Sequence, residues 1–260
     1  EPLAITNCLN FGNPYKPEGY WTFKEAVAGM GDACRTFGTP VTGGNVSLYN
    51  EHPEGAVYPT PTIGMLGLVE DIEAHPTTAD FKQSGDVIFV LQPEAPAPLR
   101  DIGGSEYLTR IHDTVTGDAP HIDLDDEKAV QQAMIDLIRA GHVSSAHDVS
   151  DGGLAVCLAE SVLFSDDLGA DVTLGLRNGE RLDALLFAET QSRIVFSVPA
   201  DAVEAVQDAV AGRPVRADRI GTVTGDGVLR VSVDGDAVIE AEHAALSQPH
   251  AEAIPSRMNQ

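Results

Sequence analysis

Lysine is scarce in this 260-residue chain. Only Lys16, Lys24, Lys82 and Lys128 occur, and with the arginines they make sixteen bases against forty acids. A net charge of −24 repels nucleic acid and anionic membranes, so neither is an expected partner. Cysteine is scarce as well. Cys8, Cys34 and Cys157 are odd in number, widely spaced and without a C-x-x-C pair, which excludes a disulfide framework and gives no zinc pattern. Cys34 and Cys157 fall at apolar positions of predicted helices and read as small buried residues rather than nucleophiles. No apolar run approaches the roughly 18 residues that span a bilayer, and no basic segment precedes a short apolar one. The expected location is therefore the cytoplasm. The motifs H-E-x-x-H, G-x-S-x-G and G-x-x-x-x-G-K-[ST] are also missing, so zincin, α/β-hydrolase and P-loop kinase mechanisms have no foothold.

What is present is an ordinary globular composition, 43% hydrophobic and 22% charged, long enough for one large domain or two ordinary ones. The acids are dispersed through the chain, with Asp-Asp pairs only at 125–126 and 166–167 and no acidic tail. Dispersed carboxylates with little Lys point to a salt-adapted, halophilic cytosol, where screening makes the self-repulsion tolerable. An acidic enzyme of ordinary salinity is the alternative.

The chain opens at Glu1 and runs almost at once into strand-like Leu3-Ala4-Ile5, so a piece of a longer protein is expected, with its first domain incomplete at the start. A Gly-, Pro- and Asn-rich loop follows. Thr22 and Glu25 then form a capping-box pair ahead of Phe23, Val27, Met30, Cys34 and Phe37, with Gly38 as the stop. TIGMLGLV (62–69) reads as a buried strand. The polar stretch 71–84 marks a junction, giving expected domains 1–79 and 80–260. The second contains a strand at 86–92, a loop rich in Pro and Gly, a helix at 125–140, a strand at 143–149 and a helix at 154–164. Strands at 172–174 and 194–198, a helix at 200–211 and a hairpin turning at Asp234-Gly235 follow. Helices and strands alternate without a regular repeat, so the fold class is α+β in two domains.

Three stretches offer chemistry. In PVTGGNVSLYNE (40–51), Gly43 and Gly44 let backbone approach an anion, Asn45 offers a neutral oxygen suited to Mg²⁺, and Ser47 shares Asn45's face in an extended chain. From spacing alone, a tight turn with incidental polar residues is the simpler reading. LNFGNP (9–14) signals a loop ordered by Asn side chains. HDVSDGGL (147–154) delivers Asp148 and Asp151 to a helix opened by Gly152 and Gly153, whose N-terminus would attract an anion. A helix cap with glycine for close packing explains the same residues. His147 has no Ser or Cys nucleophile beside it in any recognisable pattern, and no catalytic residue is assigned.

Taken together and in order, ITNCLNFGNPYKPEGYW, ACRTFGTP, VTGGNVSLYNE, PTPTIGMLGLVEDI, GGSEYL, SAHDVSDGGLAVCLAES and LFAETQSRIVFSVP resemble the C-terminal half of the phosphoribosylformylglycinamidine (FGAM) synthase family. The resemblance covers about residues 1–225. LNFGNP and GNVSLYNE are specific to that family, whereas SAHDVSDGGL is shared across the aminoimidazole ribonucleotide synthetase-like superfamily. It implies a two-domain synthetase-type half and ATP-dependent amidation of formylglycinamide ribonucleotide: phosphorylation of the amide oxygen, then displacement by ammonia. It also implies Gly44 as an ATP contact, Asn45 as a Mg²⁺ ligand and Ser47 as a substrate contact. At Asn7 the family usually has an ATP-contacting Asp; Asn7 keeps the hydrogen bonding and brings no charge. Gly43, Asp148, Asp151 and Gly152 remain phosphate or loop candidates, and Glu189 and Gln191 of LFAETQSR carry little weight. The implied partners are the N-terminal half of the same enzyme, a glutaminase subunit and a small accessory subunit, so the chain alone is expected to be inactive. A non-catalytic half holding a structural nucleotide, a scaffold, or another ATP-using member of the superfamily are the alternatives.

Overall fold

Strand β1 (Pro2–Asn10) continues five residues beyond the apolar start, and its last three, Cys8 to Asn10, lie where a loop was expected. It is the centre of a sheet ordered β2-β1-β5, and ladders on both sides hold polar residues that local propensity would leave in a loop. Helix α1 (Pro17–Phe37) begins five residues before Thr22, with Pro17 in its first turn and Lys16 as an N-cap that makes no side-chain bond. The expected capping box is not formed. Pro17 carries the fixed φ of a first turn, and Thr22 lies inside the helix, its Oγ1 donating to Gly19 O at 3.1 Å. The stop at Gly38 is as expected, with φ 69° and a backbone bond to Cys34 O.

Strand β2 (Val41–Ser47) pairs parallel to β1. The hairpin β3 (Glu51–His52) and β4 (Gly55–Ala56) follows, then β5 (Thr60–Gly67) antiparallel to β1. Gly43-Gly44-Asn45 is therefore mid-strand and not a turn. This first unit, Glu1–Ile72, buries little. Ile5, Leu9 and Phe11 are its buried hydrophobics, the Phe11 ring meeting Phe23 edge-on at 5.3 Å. Every residue of β5 is exposed, Met65 by 58% and Leu66 by 63%, so the strand expected to be buried is not.

The second unit, Glu73–Gln260, starts with β6 (Val87–Pro93), buried at every position, as its continuous apolar run implies. Helices α2 (Glu106–His112) and α3 (Leu124–Arg139) follow, then β7 (Ser145–Asp148), α4 (Gly153–Leu163), β8 (Gly169–Leu174), α5 (Leu182–Phe187) and β9 (Ile194–Val198). After a 3₁₀ turn come α6 (Val203–Val210), β10 (Val215–Thr224), β11 (Val228–Val233), β12 (Asp236–Glu242) and α7 (His243–Met258). The sheet order is β12-β11-β8-β10-β6-β9-β7. Val130, Met134, Leu137, Val206 and Val210 of α3 and α6 pack with Val87, Phe89 and Leu91. Leu154 and Leu158 of α4 and Leu186 of α5 pack with Ile88 and Val90. The β11–β12 hairpin turns at Asp234 and Gly235, both at positive φ, as expected. β10 was not foreseen: VRADRIGTVT mixes charge into a strand that lies between β8 and β6 at the centre of the sheet.

The structure, a computed structural model, describes residues 1–73, 77–94, 101–177 and 179–258. Residues 74–76 of the expected junction and 95–100 of the proline-rich loop lie outside the described residues. No helix among the described residues is long and apolar enough to cross a membrane.

Candidate functional site

In the β1–β2 ladder Asn7 lies opposite Gly44, while Cys8 and Asn10 lie opposite Asn45 and Ser47. Gly44 has φ 155°, and a Cβ there would fall 2.4 Å from Asn7 O and 2.5 Å from Asn7 Oδ1. Only glycine admits this approach, so Asn7 and Gly44 form one contact. Thr6 Oγ1 donates to Gly43 O at 3.1 Å, fixing the neighbouring backbone. Asn45 Nδ2 donates to Ser47 Oγ at 3.4 Å, which places those side chains together as the extended chain requires. By strand alternation the Asn7 pair and the Asn45 pair leave opposite faces of the sheet. Asn7 stands on the central strand β1, whereas Gly44, Asn45 and Ser47 stand on β2, an edge strand with no further neighbour among the described residues.

LNFGNP and NVSLYNE prove to be one substructure. Phe11 N donates to Ser47 O at 3.0 Å, Tyr49 N to Gly12 O at 3.0 Å and Asn50 N to Phe11 O at 3.1 Å. Asn50 Nδ2 adds a bond to Ser47 O at 3.1 Å, and Lys16 pairs with Glu51 at 2.7 Å. Asn13 orders its own turn by accepting from Tyr15 N at 2.9 Å. The loop after β1 thus clamps the end of β2, holding Asn45 and Ser47 at a defined register.

The third stretch is arranged differently. α4 begins behind Gly152 and Gly153, with φ 80° and 71°; a Cβ on Gly153 would lie 2.7 Å from Ala188 O, so glycine permits close packing there. The Gly152 amide donates to Glu189 Oε1 at 2.9 Å, and the Glu106 amide at the start of α2 donates to the same oxygen at 2.8 Å. The anion at the α4 N-terminus is therefore the chain's own Glu189. Sequence reading gave that residue little weight, because nothing local announces a contact 37 residues away. Asp148 engages His147 at 3.5 Å and accepts from Ser150, while His147 Nε2 meets Glu160 at 3.0 Å. His147 holds the Asp148 carboxyl well below its usual range, and Asp148 with Glu160 raises the imidazole pKa. Asp151 is exposed at the turn before α4. Burial pushes the Cys157 thiol well above its ordinary value, in keeping with a structural residue. Among the described residues no group of three or more His, Cys, Asp or Glu is placed to hold a metal ion.

The first unit is a small, open α/β unit with a polar strand edge, and the second is a seven-stranded sheet covered by helices on both faces, which makes a two-part α+β architecture. Profiles described as AIR synthase related protein, N-terminal domain, and AIR synthase related protein, C-terminal domain, match residues 1–69 and 83–234. The chain belongs to the AIR synthase related protein family. Among its relatives, the phosphoribosylformylglycinamidine synthase subunit PurL of Salinibacter ruber (strain DSM 13855 / M31) is 56% identical over 98% of this chain and 33% of its own length. The chain therefore spans about a third of the curated relative it matches. T. maritima PurL complexed with FGAR superposes with a TM-score of 0.74 at 19% identity, over 95% of this chain and 40% of that one. T. maritima PurL complexed with ATP gives 0.71 at 20% identity, over 95% and 38%. At such identities these two show the shared fold.

Proposed function

We propose that the chain is the C-terminal part of a phosphoribosylformylglycinamidine synthase. It would supply one edge of the site in which formylglycinamide ribonucleotide, ATP and glutamine-derived ammonia give formylglycinamidine ribonucleotide, ADP and phosphate. The observation that carries this reading is the clamp between residues 11–12 and 47–50, which holds Asn45 and Ser47 beside the Asn7–Gly44 contact. The 56% identity to the Salinibacter ruber subunit supports it.

Asn7 and Gly44 take the nucleotide, the missing Cβ of Gly44 letting the Asn7 amide lie against its backbone. Asn45 fits Mg²⁺ as a single neutral oxygen ligand, which suffices only where phosphates or acids from elsewhere carry the charge. Bound there, the cation would neutralise phosphate charge during transfer. Ser47, hydrogen-bonded to Asn45, orients the substrate, and Gly43 lines the same edge. Asp148, Asp151 and Gly152 of the second unit are weaker phosphate or loop candidates, since Glu189 already occupies the Gly152 amide.

The exposed apolar residues of the first unit, Val46, Met65, Leu66 and Val69 among them, fit burial against the remainder of the same enzyme. A glutaminase subunit and a small accessory subunit complete the assembly, in keeping with a relative named as a subunit. A cytoplasmic location and adaptation to high salt accord with the dispersed acids.

The test is phosphate release from ATP with formylglycinamide ribonucleotide and ammonia. Turnover is expected from the chain assembled with the rest of its enzyme and not from the chain alone. Asn45→Ala should weaken MgATP binding in the assembly by about tenfold or more, or ~1.4 kcal/mol. Clear turnover by the isolated chain, or an unaltered MgATP affinity in Asn45→Ala, overturns the reading.

A further inference from the structure

In a chain of net charge −24, four of the twelve arginines line one cavity of about 300 Å³ in the second unit. Its floor is the adjacent strands β8, β10 and β6, and Leu154 of α4 and Leu185 of α5 form apolar walls. Arg193 lines the cavity with only 8% of its surface exposed, and its Nε has no hydrogen-bond partner among the described residues. Arg216 Nε is likewise without a hydrogen bond: it lies 3.0 Å from Asp218 Oδ2, an ion pair out of line for one.

Asp218 pairs with Arg216, and Glu180, Asp101 and Asp218 offset part of the Arg193 charge, but no acid supplies either missing hydrogen bond. Asp218 Oδ2 accepts from Gln92 Nε2 at 2.6 Å. Glu180 accepts from the Arg177 amide at 2.9 Å, and burial raises its pKa, which weakens it as a counter-ion. Burial lowers the Arg193 pKa, the mark of a guanidinium drawn out of water without adequate compensation. Buried charges in folded proteins are ordinarily paired, and a guanidinium presents a planar fork of donors that matches carboxylate or phosphate oxygens. The cavity size sits at the lower end of small-molecule pockets, and the leucine walls suit a short carbon skeleton.

We propose that this cavity binds a small oxyanion-bearing metabolite, its carboxylate or phosphate seated on Arg193 and Arg216. None of these residues is used in the functional reading above, so the two stand or fall separately. The test is calorimetric titration of the whole chain with inorganic phosphate and, in a separate arm, with succinate; the arms distinguish a phosphate ligand from a carboxylate one. One-site saturable binding of at least one probe is expected, weakened tenfold or more by Arg193→Gln or Arg216→Gln and unchanged by Asn45→Ala. Circular dichroism checks the fold; should Arg193→Gln fail to fold, half-exposed Arg216 decides. Absence of saturable binding by both probes overturns the proposal. So does binding that the folded arginine variants leave unaltered, or that Asn45→Ala removes.

Discussion

The two units solve the problem of covering a sheet to different degrees. In the second, helices lie on both faces and β6 is buried along its whole length. In the first, α1 has no buried residue and β5 is exposed at every position. Stability should therefore reside in the second unit, while the first spends its sequence on polar strand edges and an apolar surface that asks for a cover.

Core deletion gives the largest expected contrast. Phe196 is fully buried and stacked on Phe89 at 5.4 Å, so Phe196→Ala should cost about 3–5 kcal/mol in urea unfolding. Met65→Ser should stay within about 0.5 kcal/mol for the chain by itself. Equal losses would break the contrast.

A second probe lies at the α4 N-terminus. Glu189→Ala removes the acceptor shared by the Gly152 and Glu106 amides and should cost about 1–3 kcal/mol, with local loss of amide protection from hydrogen exchange. Unchanged protection at both amides would show that water replaces the carboxylate.

Salt sharpens the contrast more gently. Residues 1–72 hold eight acids and three bases, and residues 73–260 hold 32 acids and 13 bases. Raising KCl from about 0.1 M to about 2 M shrinks the screening length to a few ångströms and should raise the melting temperature. A flat or falling curve would remove the salt-adapted reading.

The smallest effect is the pH dependence of the His147 cluster. Because Asp148 and Glu160 raise the imidazole pKa, the folded chain holds that proton more tightly than the unfolded one. The resulting stabilisation is complete below the unfolded value of about 6.5 and is lost as pH rises through the raised folded value. The depressed Asp148 contributes in the opposite sense: complete above its unfolded value of about 3.9, and lost as pH falls through the folded one. His147→Gln should therefore cost more stability at about pH 5.5 than at about pH 8.5. The same cost at both would mean that the ion pairs contribute nothing.

Much of the fold was legible. The apolar stripe of α3, the opening of α4 at the double glycine, the runs of β6 and β9 and the Asp234-Gly235 turn are local patterns, and the structure has them within a few residues. The short helices α2 and α5 and the charged strand β10 were missed, because each forms through neighbours rather than through its own periodicity. At the candidate site, residue types and their two-residue spacing could be read, but not the strand that carries them.

Periodicity, turn chemistry and motif order are local, and they were enough for the two-part α+β character, the polar run Gly43, Gly44, Asn45 and Ser47, and the family resemblance. The fold alone made Gly43-Gly44-Asn45 an edge strand and laid Asn7 against Gly44, because that ladder is with β1, far back in the chain. It also put Glu189 on the α4 N-terminus and Arg193 and Arg216 around one cavity. Each of these depends on groups distant in sequence, whose meeting is set by sheet order and packing rather than by any neighbouring residue.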